Sequence, residues 1–365
     1  MISANMFFDS EWIVKKAEES LLLEPVHITD KVAAMSEGNA HEYYSNGDYW
    51  WPDPTKPDGL PYIQRDGESN PQNFNFHREC LRQMRTAVAN LAAGYKVSGR
   101  EEFAVHAVRM LREFFLDEAT YMAPHLKYAQ AIPGRCSGRG IGVIDTLHLT
   151  EIPYAVKALQ SSPAMTDEIV NGLKGWFSDY LEWMNTHPYG IAERDYTNNH
   201  AVCWHVQALS FAGFVGNEQI IKECIKRYKE VLLPNQMRPD GGFTKELART
   251  KPYGYSIFVL DNAISLVYLA STLDEDLWDY TLEDGRSIKK GLDFLMPYLQ
   301  DKSSWFLPDD IEHFDGWPAR ASFMVFAGLH YQDEAYLKLY RSLAPESFDE
   351  EVRRNLAIRQ PILMV

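Results

Sequence analysis

Cysteine is scarce in this chain of 365 residues, and the four present, Cys80, Cys136, Cys203 and Cys224, form no CxxC pair. Their spacing excludes a zinc knuckle and a disulfide framework, and leaves buried free thiols as the expectation. Positive charge is also in deficit: 36 Lys and Arg stand against 51 Asp and Glu, a net charge of -15. Nucleic-acid backbones and anionic membranes select basic surfaces, so neither is an expected partner. The sequence opens Met1-Ile2-Ser3-Ala4-Asn5-Met6-Phe7-Phe8-Asp9, without a basic segment followed by an apolar one. No signal peptide is read there, and no run is judged long enough to span a membrane. As the sequence stands, a cytoplasmic location is expected; a secreted or periplasmic one follows if a signal has been removed. No metal-ligand set is seen, since His200 and His205 are five apart and poorly matched to one helix face. Neither a metal nor a cofactor is expected.

Alternating strands are missing too, whereas helical periodicity is plentiful. It appears near 76–97, 101–117, 146–160, 165–186, 199–213, 217–232, 253–273, 286–299, 317–330 and 333–343. Residues 6–35 read as an amphipathic helix followed by an irregular stretch. Hydrophobic residues make up 45% of the chain, enough for a substantial core. So many helices, with no repeated motif, predict an all-α fold of antiparallel pairs closing into an (α/α) toroid. No Ser/Gly-rich or charged linker interrupts them, which predicts one domain over 1–365.

Before the helices lies a long loop, at about 41–72, containing Tyr44 and the run Gly47-Asp48-Tyr49-Trp50-Trp51-Pro52-Asp53-Pro54. Pro and Gly forbid regular helix there. A loop of this length in a compact domain is usually functional or packed over something. Its tryptophans suit stacking on sugar rings, or equally pinning the loop to the core. A second loop, Tyr128–Gly142, carries Gln130, Arg135 and Arg139 among glycines. It lacks the spacing and preceding strand of a phosphate loop. An arginine there suits clamping a carboxylate or a salt bridge to a surface acid.

The chain is organised around Thr197-Asn198-Asn199-His200-Ala201-Val202-Cys203-Trp204-His205. Thr197 and Asn198 are good N-caps for the apolar run that follows. Asn199 and His200 then stand at a helix N-terminus, where outward N–H groups and the dipole favour a negative ligand. Amide donors and a titratable ring suit binding a carboxylate and moving a proton beside it. The alternative is a mere cap with an interior histidine. Further on, Arg238-Pro239-Asp240-Gly241-Gly242 reads as a tight turn, and Pro252 as the first turn of a helix. Arg249, Tyr253 and Tyr255 gather at that helix's start.

Asn198-Asn199-His200, then Glu246-Leu247-Ala248-Arg249 and Tyr255 with Leu260 five on, resemble the alginate lyase superfamily. The Gly47–Pro54 loop, Arg65-Asp66-Gly67-Glu68 and Gly138-Arg139-Gly140-Ile141-Gly142-Val143-Ile144-Asp145-Thr146 resemble its branch acting on alginate or glucuronan, over about residues 40–330. The resemblance implies an (α/α) toroid and a polysaccharide lyase with Asn199, His200, Arg249 and Tyr255 as catalytic residues. Tyr44, Trp50, Trp51, Gln130, Arg139, Asn198 and Tyr253 are the implied substrate contacts, and the partner is an anionic polysaccharide or oligosaccharide. In the better-known members one more residue separates the Arg from the Tyr. Alignment through Leu260 selects Tyr255, the longer spacing falls on Ser256, and Tyr253 is the second choice.

The implied chemistry is β-elimination. Asn199 and Arg249, assisted by His200, hold the uronate carboxylate so that it can take the charge of the transition state. A base removes the C5 proton and an acid protonates O4, leaving a C4–C5 double bond. In β-D-mannuronate and β-D-glucuronate the elimination is syn, so Tyr255 serves as both base and acid. Its pKa must then fall from about 10, which Arg249 and a helix N-terminus favour. In α-L-guluronate it is anti, with His200 as base and Tyr255 as acid. Two other readings stay open: a glycoside hydrolase using acids such as Asp145, Glu151, Asp195 or Asp240, and a noncatalytic carbohydrate-binding protein.

Overall fold

A computed structural model describes residues 1–365. The chain packs as two compact units, neither of them a continuous piece of sequence. One comprises Asp9–Glu193 with Ile362–Val365, the other Met1–Phe8 with Arg194–Pro361.

The first unit is built on α1 (Ser10–Leu21), α2 (Phe76–Ser98), α3 (Glu101–Phe115), α4 (Ile152–Leu159) and α5 (Asp167–Thr186), and α6 (Pro188–Arg194) runs to its border. The helices start where side chains replace missing backbone partners: Asp9 accepts from Glu11 and Trp12, and Thr166 accepts from Ile169. α2 is the central helix and packs against α1, α3 and α4. It approaches α1 closely at Gly94, where a Cβ would fall 2.3 Å from that of Ala17. Lys96 of α2 donates to the Ile362 and Val365 carbonyls at 2.6 and 2.9 Å, which anchors the last residues.

Strands do occur here, in short pieces. β1 (Tyr44–Asn46) pairs in parallel with β4 (Tyr128–Ala131), and β2 (Trp50–Trp51) pairs antiparallel with β3 (Ile63–Gln64). The start of the helix expected over 146–160 is instead the end of a 3₁₀ run, Gly140–Glu151, before α4 takes over at Ile152.

The second unit holds α7 (Asn199–Val215), α8 (Glu218–Arg227), α9 (Leu233–Gln236), α10 (Thr244–Leu247), α11 (Pro252–Leu273), α12 (Ile288–Gln300), α13 (Ser322–Tyr331), α14 (Glu334–Ser342) and α15 (Glu350–Asn355). α7 and α11 pack together and are apolar nearly all round, as buried helices must be. α11 corrects one expectation. By length and composition it is apolar enough to cross a membrane, but it is a core helix with most of its residues buried in protein. The turn before α10 forms as read, with Gly241 at φ +99 and Arg238 N–H on the Gly242 carbonyl at 2.8 Å. Residues 1–8 join this unit through Phe7, edge-on to Tyr340, and Ile2, whose N–H donates to Gln332 at 2.7 Å.

Candidate functional site

α7 begins where the sequence placed it. Asn198 is the N-cap, its Oδ1 accepting from His200 N–H at 3.2 Å, and its carbonyl accepts from Gln236 Nε2 at 3.1 Å. Asn199 is buried, and both of its donors point at one carboxylate. Its backbone N–H meets Glu246 Oε1 and its Nδ2 meets Glu246 Oε2, each at 2.8 Å. Burial pushes the Glu246 carboxyl up, opposed by these two bonds and by the charges of Arg249 and His200. His200 is half-buried beside the Tyr196 ring, 5.3 Å between centroids.

These contacts correct the expectation that the α7 N-terminus offers bare N–H groups to an anion. The Asn199 and His200 N–H groups are already taken, one by Glu246 and one by Asn198. What this end presents to a ligand is side chains.

α10 is a single turn, and Arg249 N–H bonds back to the Glu246 carbonyl at 3.2 Å. One short segment therefore delivers both Glu246 and Arg249. The Arg249 guanidinium lies 4.2 Å from the centre of the Tyr255 ring and donates to the Tyr255 hydroxyl at 3.0 Å. Tyr255 stands in the first turn of α11, its N–H on the Lys251 carbonyl at 3.0 Å, and is half-buried.

The start of α11 holds a second correction. Asp310 accepts from Tyr253 N–H and Gly254 N–H, both at 2.8 Å. A carboxylate already occupies the positive end of this helix, so the phenolate stabilisation expected from the dipole falls to Arg249. Burial raises the Asp310 carboxyl, against the pull of those two bonds.

Tyr253 does not join the group. It is fully buried, and its hydroxyl donates to the Tyr298 carbonyl at 2.9 Å. Tyr255 is the tyrosine that faces the arginine. His205 is likewise interior: Nδ1 bonds the Ala201 carbonyl at 2.7 Å, and Nε2 accepts from Arg227 Nε at 3.1 Å. Burial pushes it down to about 3, so it is a neutral core histidine.

The first unit carries the remaining expected contacts. Trp50 and Trp51 are half-buried on the β2–β3 ribbon. The guanidiniums of Arg135 and Arg139 lie 5.2 and 5.7 Å from the Trp50 ring, and that of Arg65 lies 4.9 Å from Trp51. Tyr44 is in the core instead, accepting from Asn46 Nδ2 at 3.0 Å and packed edge-on to Phe74. Gln130 sits at φ +51, a strained setting for a residue with a side chain. Ser45 Oγ accepts its N–H, Asp145 accepts its Nε2, and Arg139 holds both its carbonyl and its Oε1. Arg139 therefore braces Gln130.

The acids of a hydrolase reading are engaged elsewhere. Asp145 accepts from Ser45, Tyr43, Arg78 and Gln130. Glu151 is fully buried against Arg85; Asp195 pairs with Arg194 and Arg227, and Asp240 with Arg238. None stands as a proton donor facing a partner acid.

Known proteins bear out the resemblance to the alginate lyases. A family model described as alginate lyase matches residues 27–305. Among solved structures, an alginate lyase from Bacteroides ovatus is 35% identical, with a TM-score of 0.85 over 96% of this chain and 92% of that one. Alginate lyase A1-III from Sphingomonas species A1 is 14% identical, with a TM-score of 0.57 over 91% of this chain and 90% of that one. A variant of A1-III complexed with a tetrasaccharide gives 14% and 0.59, over 91% and 89%. Among curated proteins none matches. The fold class is all-α, the (α/α) toroid expected from the helices. The chain belongs to the alginate lyase family.

Proposed function

We propose that this chain cleaves a polyuronate by β-elimination at the group Asn199, His200, Arg249 and Tyr255, leaving a 4,5-unsaturated uronate end. Its family makes it a polysaccharide lyase acting on alginate. The residue roles and the exact sugar are the proposal. The observation that carries them is the Arg249–Tyr255 contact, 3.0 Å from guanidinium nitrogen to hydroxyl. A cation donating to the phenol oxygen favours negative charge there, which a tyrosine base requires.

Elimination needs a sink for charge at the uronate carboxylate. Asn199 supplies an amide donor and Arg249 a positive charge, with the His200 ring assisting at the carboxylate. Tyr255 then takes the C5 proton and returns it to O4 when both lie on one face of the sugar, as in mannuronate and glucuronate. With guluronate, His200 takes the proton and Tyr255 gives one. A tetrasaccharide bound to A1-III supports an oligosaccharide as ligand. Trp50 and Trp51 have ring faces suited to stacking on sugars.

The test is incubation with polymannuronate, polyguluronate and glucuronan, following the ultraviolet absorbance of the unsaturated product. Rising absorbance on at least one polymer is the expected result. Cleavage into shorter chains without absorbance would mean hydrolysis, and binding without cleavage a noncatalytic protein.

A further inference from the structure

We infer that Glu246 is a positioning residue, which holds the Asn199 amide so that its second N–H faces the sugar carboxylate. The inference rests on the lyase reading above. Asn199 and Glu246 are 2% and 1% exposed, and one carboxylate grips one asparagine twice, at its backbone N–H and at its Nδ2. An asparagine amide is nearly symmetric in shape, so packing alone does not decide which end is NH₂. An ionised carboxylate does, because it only accepts. With Nδ2 held at 2.8 Å, one amide hydrogen is engaged and the other is left for a ligand. Were the amide reversed, Oδ1 would take that place and repel a uronate.

A buried negative charge beside a site for an anion is otherwise a handicap. It weakens substrate binding by like-charge repulsion and costs desolvation energy. Glutamine would relieve both, but its own amide can reverse, and it would set a donor against Nδ2. The charged groups facing Glu246 are Arg249, on the following turn, and His200, on α7. Both offset its charge. Protonating Glu246 would remove an acceptor and let the amide reverse, so acid should impair catalysis through Asn199.

The experiment is a double-mutant cycle on the full chain, with kcat and KM measured for Asn199→Ala, Glu246→Gln and the pair. Asn199→Ala should lose about 10²-fold or more in kcat/KM, and Glu246→Gln about 10–100-fold, the worth of a charge-assisted hydrogen bond. The pair should lose no more than Asn199→Ala alone, because Glu246 acts through Asn199. Losses that multiply would overturn the inference. Circular dichroism checks folding. If Glu246→Gln does not fold, the pH profiles of wild type and Asn199→Ala carry the test. An acid limb in wild type that is absent from Asn199→Ala supports the role, and the same limb in both refutes it. A wild-type protein that forms no unsaturated product would remove the lyase reading itself; normal wild-type activity with multiplying losses removes only Glu246's part.

Discussion

Arg249 covers the ring of Tyr255 and at the same time donates to its hydroxyl, 4.2 Å from the ring centre and 3.0 Å from the oxygen. Six residues apart in sequence, they meet because Arg249 follows the single turn of α10 and Tyr255 opens α11. The cation is thus held at the atom where a base must carry charge.

Tyr255→Phe keeps the ring under Arg249 and removes the proton carrier. Turnover should fall by about 10²–10⁴-fold, the usual worth of general acid–base catalysis, with oligosaccharide binding retained. Tyr253→Phe loses only the bond to the Tyr298 carbonyl. It should cost about 1 kcal/mol of stability and leave turnover near normal. Steady-state kinetics, with binding measured separately, decides between the two tyrosines.

Asn199→Ala and Arg249→Ala each remove a stabiliser of the carboxylate charge. Each should lower kcat by about 10²-fold or more, with a smaller change in KM. A folded variant with normal kcat would take that residue out of the site.

Asp310→Ala leaves the Tyr253 and Gly254 N–H groups without their acceptor. Loss of a cap of this kind costs about 0.5–2 kcal/mol, read as a lower thermal midpoint. Because Tyr255 lies one residue beyond Gly254, kcat should fall as well.

Asp261, inside α11, accepts from Ser322 Oγ and Phe323 N–H through one oxygen, both at 2.8 Å, and burial pushes its carboxyl up to about 6. A folded-state value raised above the unfolded one favours the folded protein at low pH. That advantage is present below about pH 4 and is lost as pH rises through about 6, amounting to about 3 kcal/mol. Asp261→Asn keeps the acceptor oxygen and drops the charge, so this slope in stability should vanish. Denaturant unfolding at pH 4, 5, 6 and 7 checks it.

Chelation should leave activity intact. Loss with EDTA, restored by one divalent ion, would require ligands outside the group at α7, α10 and α11.

The sequence was most legible where a signal is local. Asn198 as N-cap and Pro252 at N1 place the starts of α7 and α11 correctly, because the signal and its effect lie within one turn. The periodic runs at α2, α3 and α5 held for the same reason. Legibility failed where partners are remote in sequence. Glu246 occupies an N–H of α7 from 47 residues away, and Asp310 caps α11 from 57. No pattern near Asn199 or Tyr253 announces either. The same limit hid the burial of Tyr44 and Tyr253, whose hydroxyl partners do not follow from composition. α13 starts at Ser322 rather than near 317, since Pro318 keeps the residue before it extended. The 3₁₀ run at Gly140–Glu151 replaces the start of one expected helix ahead of Pro153, which comes in at the first turn of α4.

The exchange of chain ends between the two units has a consequence for how the protein is made. Ile2 waits for Gln332, 330 residues downstream, and Phe7 for Tyr340. A chain synthesised from its N-terminal side must carry these apolar residues unsheltered while nearly everything between them is translated. Closure of the unit containing α7 to α15 is therefore a late event, however early its helices form. Nor does cutting at the border yield two clean halves. A piece beginning at Arg194 lacks the segment 1–8, whose Phe7 packs on Tyr340, and its complement lacks the tail that Lys96 holds. Dissecting this lyase calls for fusing each end segment to its own unit, residues 1–8 to 194–361 and 362–365 to 9–193, rather than truncation.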